Sequence, residues 1–342
     1  MSSPLFKKSV CVTGGAGFLG RSVCERLRQR DVADVFVPRS RDFDLTQADD
    51  VARMFDAAKP DVVIHLAAQV GGIGANRKQP GRFFYANMAM GLHVIEEARL
   101  RQVEKYVQVG TVCAYPKHCE TPFRERDLWK GFPEETNAPY GVAKRALGVM
   151  LEAYRAQYGF NGIYLIPVNL YGPGDNFDPE SSHVIPALIR KFCEAVDAKA
   201  DPVTCWGHGQ ASREFLYVDD AADAIVKATE VHNDTDPVNL GTGEEIKIRD
   251  LAETIGELCG YGGKIMWDTT QPDGQPRRQL DTTRAARLLD WRATVDLKDG
   301  LRRTIQWWRT QRSQEVVQST RPAPDRLQSR PAIQLADKDP VS

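Results

Sequence analysis

The stretch that most constrains the fold lies at the amino terminus. A short apolar run, Ser9-Val-Cys-Val-Thr13, ends in G-G-A-G-F-L-G at residues 14–20 and continues into a helix-like segment, 21–30. Strand, glycine turn and helix in that order open a βαβ unit and predict a parallel sheet with a dinucleotide site at its edge. In such a turn Gly14 supplies the tight bend, Gly17 lets the backbone approach a pyrophosphate, and Gly20 permits close packing of helix on strand. Free amides at the helix start then attract phosphates. A glycine triplet also serves as a plain structural turn, so the rest of the chain has to decide between the two.

The following segments keep the α/β alternation. A second strand at 35–37 leads into Pro38-Arg39-Ser40-Arg41-Asp42, the place where a cofactor ribose is read. An acid directly at this strand end marks NAD, whereas a cation accommodates a 2′-phosphate. Arg39 comes first and favours NADPH; Asp42 keeps NAD open, and a solvated loop is the plain alternative. Residues 61–68, D-V-V-I-H-L-A-A, form a continuous apolar run of the kind buried on both faces of a parallel sheet. Its small ending, Ala67-Ala68, lets a planar adenine or ribose come close, or simply packs tightly. A flexible loop at 70–74, a helix at 81–101 and a strand at 106–110 follow.

That strand delivers G-T-V-C-A-Y-P (residues 110–116), and P-Y-G-V-A-K (139–144) comes soon after. If Tyr140 opens a helix, Tyr140 and Lys144 share a face, where the ammonium can favour ionised phenol. Y-x-x-x-K arises readily by chance, but here it joins a hydroxyl (Thr111) and a thiol (Cys113) at the carboxyl end of a strand, where open α/β sheets bind ligands. A helix at 140–158, a strand at 163–168 and a Gly/Pro-rich segment at 169–177 come next. His183 then precedes a helix at 187–195, a position where histidine more often caps or packs than catalyses. W-G-H-G-Q-A-S-R-E-F-L-Y-V-D-D (206–220) supplies a turn, an arginine and a strand, followed by a helix at 221–230. P-D-G-Q-P-R-R (272–278) suits a pyrophosphate through its paired arginines, or is an ordinary solvated loop. Residues 313–342 lack aromatics and predict a disordered tail.

Composition sets the outer limits. The 342 residues are 42% hydrophobic and 27% charged, with a formal net charge of −1, which gives no electrostatic case for nucleic acid or an anionic membrane. Seven scattered cysteines with no C-x-x-C argue against a disulfide framework and for a reducing, cytoplasmic setting. No apolar stretch reaches the length of a membrane span, the amino terminus lacks a signal-peptide core, and no metal-ligand spacing is found.

On the T-G-G-x-G-F-L-G turn (Thr13 to Gly20), Tyr140-x-x-x-Lys144 and R-E-F-x-x-V-D-D (Arg213 to Asp220), the chain resembles the extended short-chain dehydrogenase/reductase superfamily over roughly residues 8–312. Longer segments narrow the resemblance to the GDP-L-fucose synthase family. They are K-P-D-V-V-I-H-L-A-A-x-V-G-G-I (59–73), C-A-Y-P-K (113–117), P-V-N-L-Y-G-P-G-D-N-F (167–177) and S-H-V-I-P-A-L-I-R-K-F (182–192). This implies a Rossmann-type doubly wound parallel sheet with a smaller carboxy-terminal α/β domain that binds substrate. The expected division is 1–172 with 213–243 for the dinucleotide domain, and 173–212 with 244–312 for the nucleotide-sugar domain.

The resemblance implies NADP(H), with NAD(H) as the alternative, held by Gly14, Gly17, Phe18, Leu19, Gly20, Arg39, Ala67, Ala68, Tyr140, Lys144, Pro167, Asn169, Leu170 and His183. It implies Thr111, Tyr140 and Lys144 for reduction and Cys113 with His183 as an epimerising acid/base pair. Lys191, Trp206, Arg213 and Asp273 are implied to contact a GDP-linked sugar. One departure is Thr111-Val112 where the family usually has Ser-Ser; threonine keeps the hydroxyl. The expected reaction is 3,5-epimerisation of GDP-4-keto-6-deoxy-D-mannose followed by C4 reduction to GDP-L-fucose. The alternative is a related 4-epimerase or reductase acting on another GDP-linked 4-keto sugar of colitose or heptose type. A 4,6-dehydratase needs a carboxylate just after the threonine, which Val112 and Cys113 do not supply, and a dinucleotide-sensing scaffold has no use for the full set. Relatives of this kind commonly form homodimers through helices near 88–101 and 140–158.

Overall fold

The computed structural model describes residues 3–71, 73–271 and 274–319. Six parallel strands form the central sheet: β1 (Ser9–Thr13), β2 (Asp34–Phe36), β3 (Val62–His65), β4 (Lys105–Val109), β5 (Gly162–Pro167) and a strand further along the chain, Val238–Leu240. Helices α1 (Phe18–Arg28), α2 (Ala48–Ala58), α3 (Ile73–Lys78), α4 (Pro80–Leu100) and α5 (Ala138–Tyr158) connect the first five. In space β2 precedes β1, and β3, β4, β5 and Val238–Leu240 follow on its other side. The chain thus reverses direction across the sheet between β1 and β3. This is the switch point where the carboxyl ends of open α/β sheets leave a crevice for ligands.

Burial explains the strand assignments. Every residue of β3 and β4 is buried, as a strand covered by helices on both faces requires. Helix α2 buries Val51, Met54 and Phe55 at helical spacing and places Asp49 and Asp50 in its first turn, where they complement the helix dipole. The loop expected at 70–74 is shorter than its glycines suggest, because α3 begins at Ile73.

After β5 the chain builds a second layer system from β6 (Asn169–Tyr171), α6 (Val184–Ala198), β7 (Val203–Trp206) and β8 (Ser212–Tyr217). Helix α7 (Val218–Val231) and strand β9, the Val238–Leu240 strand of the main sheet, return to the first. β10 (Glu245–Lys247), α8 (Ile248–Cys259), β11 (Ile265–Asp268), α9 (Thr283–Leu289) and α10 (Leu297–Ser319) complete the described chain. β8 pairs parallel with β6 and antiparallel with β10, and β7 pairs parallel with β11.

Two hydrophobic cores result. The first holds the main sheet and its helices; the second gathers Ile189 and Phe192 of α6, Leu251 and Ile255 of α8, and Leu301 and Ile305 of α10. Strand β8 feeds both, with Leu216 in the first and Phe215 and Tyr217 in the second. The stretch 244–312 was expected to lie wholly in the second unit, yet Leu280, Ala285, Leu289 and Trp291 pack in the first core, because α9 lies against α7 and β9. The tail expected from residue 313 starts within α10, which is helical through Ser319; residues 320–342 lie outside the described residues. Phe177 stacks on Trp308 of α10 with ring centroids 4.3 Å apart, fixing the Gly/Pro-rich segment beneath that helix.

The glycine turn is the tightest point of the sheet edge. Gly14 has φ +73°, and a side chain there would stand 2.8 Å from the Ala67 amide nitrogen on the neighbouring strand end. At Gly20 a Cβ would meet the Gly14 carbonyl oxygen at 2.1 Å. Gly20→Ala should therefore push α1 off β1 and destabilise the protein by about 2–4 kcal/mol. Chemical denaturation measures this, and a loss below ~0.5 kcal/mol would show that the helix has room to move.

Candidate active site

Along the carboxyl rim of the sheet runs a cleft of about 1010 Å³ between the two cores. Its floor begins at the switch point. Helix α1 has Gly17 as N-cap, no side-chain cap and no acid in its first turn, so its leading amides are left for an anion. Arg39 is exposed and lines the cleft, and it has no ion-pair partner among the described residues. Asp42 is absent from the lining and pairs instead with Arg41 at 3.4 Å. The residues present thus fit a dinucleotide with a 2′-phosphate: a backbone cradle that any Cβ would fill, small walls at Ala67 and Ala68, and a free cation at the second strand end.

Thr111 starts a short 3₁₀ turn, Val112–Ala114, and its hydroxyl accepts from the Cys113 amide at 3.2 Å. Opposite this turn α5 begins at Ala138. Gly141 lets the helix close in, because a Cβ there would lie 2.4 Å from the Cys113 carbonyl oxygen. Tyr140 and Lys144 are consequently pressed against the Thr111–Cys113 turn. Lys144 is 2% exposed and donates to the Val109 carbonyl at 3.2 Å. Burial lowers its pKa to about 8. Burial raises the Tyr140 phenol well above its ordinary value, the neighbouring Cys113 adds to the rise, and the Thr111 hydroxyl opposes it. The phenol stays protonated through the neutral range, which makes it a proton donor. The departure at Val112 is absorbed by packing, since this side chain is 3% exposed within the first core.

His183 stands at the N-cap of α6, open to the cleft, where desolvation by the enclosing walls lowers its pKa. Further out, Lys191 of α6 donates to the Thr204 carbonyl at 3.0 Å and lies 5.9 Å from the centroid of Trp206, an exposed ring. Arg213 of β8 donates to the Ser212 carbonyl at 2.7 Å. Phe18, Leu19, Pro167, Asn169 and Leu170 line the same cleft. The residues expected to catalyse or to bind cofactor and substrate all line this cleft except Asp273, which lies outside the described residues; Asp42 and Arg277 do not line it.

Several contributors escaped the sequence reading. The paired arginines of 272–278 do not present themselves as a pyrophosphate clamp. Arg277 makes a bidentate pair with Glu245, while Arg278 turns inward and donates to the Cys113 sulfur at 3.5 Å. Glu214, fully buried, accepts from the amides of Thr242 (2.6 Å), Gly243 (2.8 Å) and Leu280 (2.6 Å), clamping two loops onto β8. Its burial outweighs those amides and pushes its pKa up to about 7. Asp175 lines the cleft with one buried carboxylate oxygen unpaired. The R-E-F motif, the 167–177 segment and the paired arginines pointed to Glu214, Asp175 and Arg278 as positions, but the roles of Glu214 and Arg278 depend on contacts between distant parts of the chain.

The family follows from comparison with known proteins. The sequence model described as "NAD dependent epimerase/dehydratase family" matches residues 10–241. This chain belongs to the NAD dependent epimerase/dehydratase family. Within it, this epimerase/dehydratase is 41% identical over 299 residues to GDP-L-fucose synthase 1 of Arabidopsis thaliana, covering 87% of this chain and 92% of that protein. It is 39% identical over 311 residues to GDP-L-fucose synthase of Escherichia coli (strain K12), covering 88% and 97%. Its fold is similar to that of a GDP-L-fucose synthetase from Naegleria fowleri bound to NADP, with a TM-score of 0.82 at 28% identity, covering 91% of this chain and 97% of that one. Among the described residues no helix is long and apolar enough to cross a membrane, and no acidic, histidine or cysteine cluster could hold a metal.

The buried Lys144 gives a pH test. Its pKa of about 8 in the fold lies below the ordinary 10.5. Between these values the unfolded chain holds a proton that the fold lacks, so this group's contribution to stability rises as pH climbs through the window. Below it the buried cation is a cost. In the cofactor-free protein, Lys144→Met should raise resistance to urea near pH 7 by about 1–3 kcal/mol, and the margin should shrink towards pH ~10. A margin that stays constant with pH would show that Lys144 is not the titrating group.

Proposed function

We propose that this chain is an NADPH-dependent epimerase-reductase converting GDP-4-keto-6-deoxy-D-mannose to GDP-L-fucose. The observation that carries the reading is the coexistence, in one cleft, of a hydride-chemistry set (Thr111, Tyr140, Lys144) with a thiol and an imidazole (Cys113, His183). Identity of 39–41% to GDP-L-fucose synthases over most of the chain supports it.

In this reading the first-turn amides of α1 hold the cofactor pyrophosphate, Arg39 holds the 2′-phosphate, and Tyr140 and Lys144 hold the ribose beside the reacting carbonyl. NADPH, when bound, supplies the hydride that reduces C4. The ketone at C4 acidifies the hydrogens on C3 and C5, so one base serves both centres. Cys113 takes each proton and His183 returns one on the opposite face. The charge that develops on O4 meets the hydroxyls of Thr111 and Tyr140, both fixed before substrate arrives. At the reduction step Tyr140 gives its proton to O4, and the Lys144 ammonium stabilises the phenolate left behind. Lys191, Arg213 and the ring of Trp206 take the nucleotide end of the substrate. A diphosphate there places negative charge near His183, which favours the imidazolium that the acid role needs.

NMR of the product formed from GDP-4-keto-6-deoxymannose tests the reading directly. With NADPH the expected product is GDP-L-fucose, with one NADPH consumed per product; a 4-epimerase would consume none, and failure with both NADPH and NADH would overturn the proposal. Cys113→Ser should cut solvent-deuterium uptake at C3 and C5 by at least ~10²-fold while NADPH still binds. Undiminished uptake would remove Cys113 from the epimerisation.

The protein is further proposed to act as a homodimer through α4 and α5. These helices pack on one another and leave Tyr85, Leu92, Leu100, Val149 and Tyr158 exposed. A dimer of such a surface should sediment at twice the chain mass, and Leu92→Glu with Val149→Glu should dissociate it by about 10-fold or more in Kd. A monomer at micromolar concentration would refute this.

A further inference from the structure

We propose that Arg278 is the counter-charge that holds Cys113 as a thiolate, and that Gln275 is the bracket that aims it. This rests on the reading of Cys113 as the base for C3 and C5. A thiol is a useful base at neutral pH only to the extent that it is ionised, and a cation within contact of the sulfur is the usual means.

The geometry around Arg278 is that of a group built to present charge. Its side chain is buried, 7% exposed, and Nη1 donates to the Cys113 sulfur at 3.5 Å. Nε and Nη2 both donate to one oxygen of Gln275, at 3.2 and 3.1 Å. Gln275, itself buried, donates from Nε2 to the carbonyls of Pro116 (3.4 Å) and Lys117 (2.9 Å), which follow Cys113 in the same loop. The Arg278 backbone is pinned too, its carbonyl accepting from the Glu214 amide at 3.1 Å. Arginine, bracket and cysteine loop thus form one closed unit.

Charge accounting then singles out the sulfur. A buried guanidinium is costly unless an anion lies against it. Among the described residues no carboxylate pairs with Arg278, whereas its neighbour Arg277 has Glu245. Gln275 satisfies two N–H groups but carries no charge. Among the described residues, the side chain in hydrogen-bond contact with Arg278 that can become negative is that of Cys113. A lysine tip could supply charge, yet only the planar fork of arginine can be held by Gln275 along one edge while presenting the other to sulfur.

As the Cys113 sulfur forms its S–H bond, the C–H bond at C3 or C5 breaks and its electron pair moves towards C4, leaving the charge on O4. His183 then delivers a proton to the opposite face of the carbon; Cys113 returns its proton to solvent and His183 takes one up, so thiolate and imidazolium are both restored for the second centre. Arg278 touches neither sugar nor cofactor in this scheme and acts through Cys113, as a positioning residue.

The test compares full-length Arg278→Gln and Arg278→Lys with the parent and with Cys113→Ser. Three quantities are read near pH 7: the ultraviolet thiolate band, as the parent minus Cys113→Ser difference; the rate of Cys113 alkylation by iodoacetamide, from peptide mass spectrometry; and deuterium uptake by GDP-4-keto-6-deoxymannose without NADPH. Arg278→Gln should lose the thiolate band and slow alkylation and uptake by about 10-fold or more, with Arg278→Lys recovering part of each. Parental alkylation and uptake in Arg278→Gln would overturn the inference. So would absence of the thiolate band in the parent, a measurement that holds even if the variants fold poorly. If the parent itself exchanges no deuterium, the substrate reading fails, while the band and the alkylation rates still decide the role of Arg278. If exchange needs Cys113 but not Arg278, the function stands and the counter-charge does not.

Discussion

The close approach of the glycine turn to the end of β3 is the constraint on which the site depends. Gly14 sits against the Ala67 amide with no room for a side chain, and Gly20 sits against the Gly14 carbonyl. These contacts draw α1 down over the switch point, so that its uncapped amides open onto the crevice between β1 and β3. Small residues on both sides of that gap are therefore one requirement expressed twice, once in the turn and once at Ala67.

A second clamp joins the two halves of the cleft. Glu214 ties the turn at Thr242 and Gly243 and the strand-like segment at Leu280 to β8 through its carboxylate, and its own amide reaches the Arg278 carbonyl. The segment that carries Arg278 is thus anchored in the protein interior, although the loop before it is polar and rich in turn residues. The two groups of side chains that meet in the cleft have different supports. Tyr140 and Lys144 are set by α5 against the main sheet, while Cys113 is braced from the far side by a segment that arrives more than a hundred and fifty residues later.

Much of this was legible in the sequence because it is local. Strand, glycine turn and helix lie within thirty residues, the apolar run of β3 has the continuous pattern of a doubly covered strand, and Tyr140 with Lys144 follows helical spacing. What stayed hidden was whatever depends on distant contact. Arg277 and Arg278 read as a matched pair because adjacent residues carry the same charge, yet they point to opposite sides of an extended segment, one to Glu245 at the surface and one inward to Cys113. The return of α9 to the first core was equally invisible, since seven residues with two buried apolar positions suit either core. Arg39 against Asp42 was open in the sequence because both lie within the reach of a ribose; the fold separates them by pairing Asp42 with Arg41.

Strand β8 has a mechanical consequence. Its Leu216 belongs to one core and its Phe215 and Tyr217 to the other, so the two walls of the cleft share a single beam. Hinge closure needs a stretch of chain that can bend without disturbing packing on either side, and a strand buried on both faces offers none. Any change in the width of the cleft therefore has to bend a strand that is packed on both sides, and β8 ties the position of one wall to that of the other.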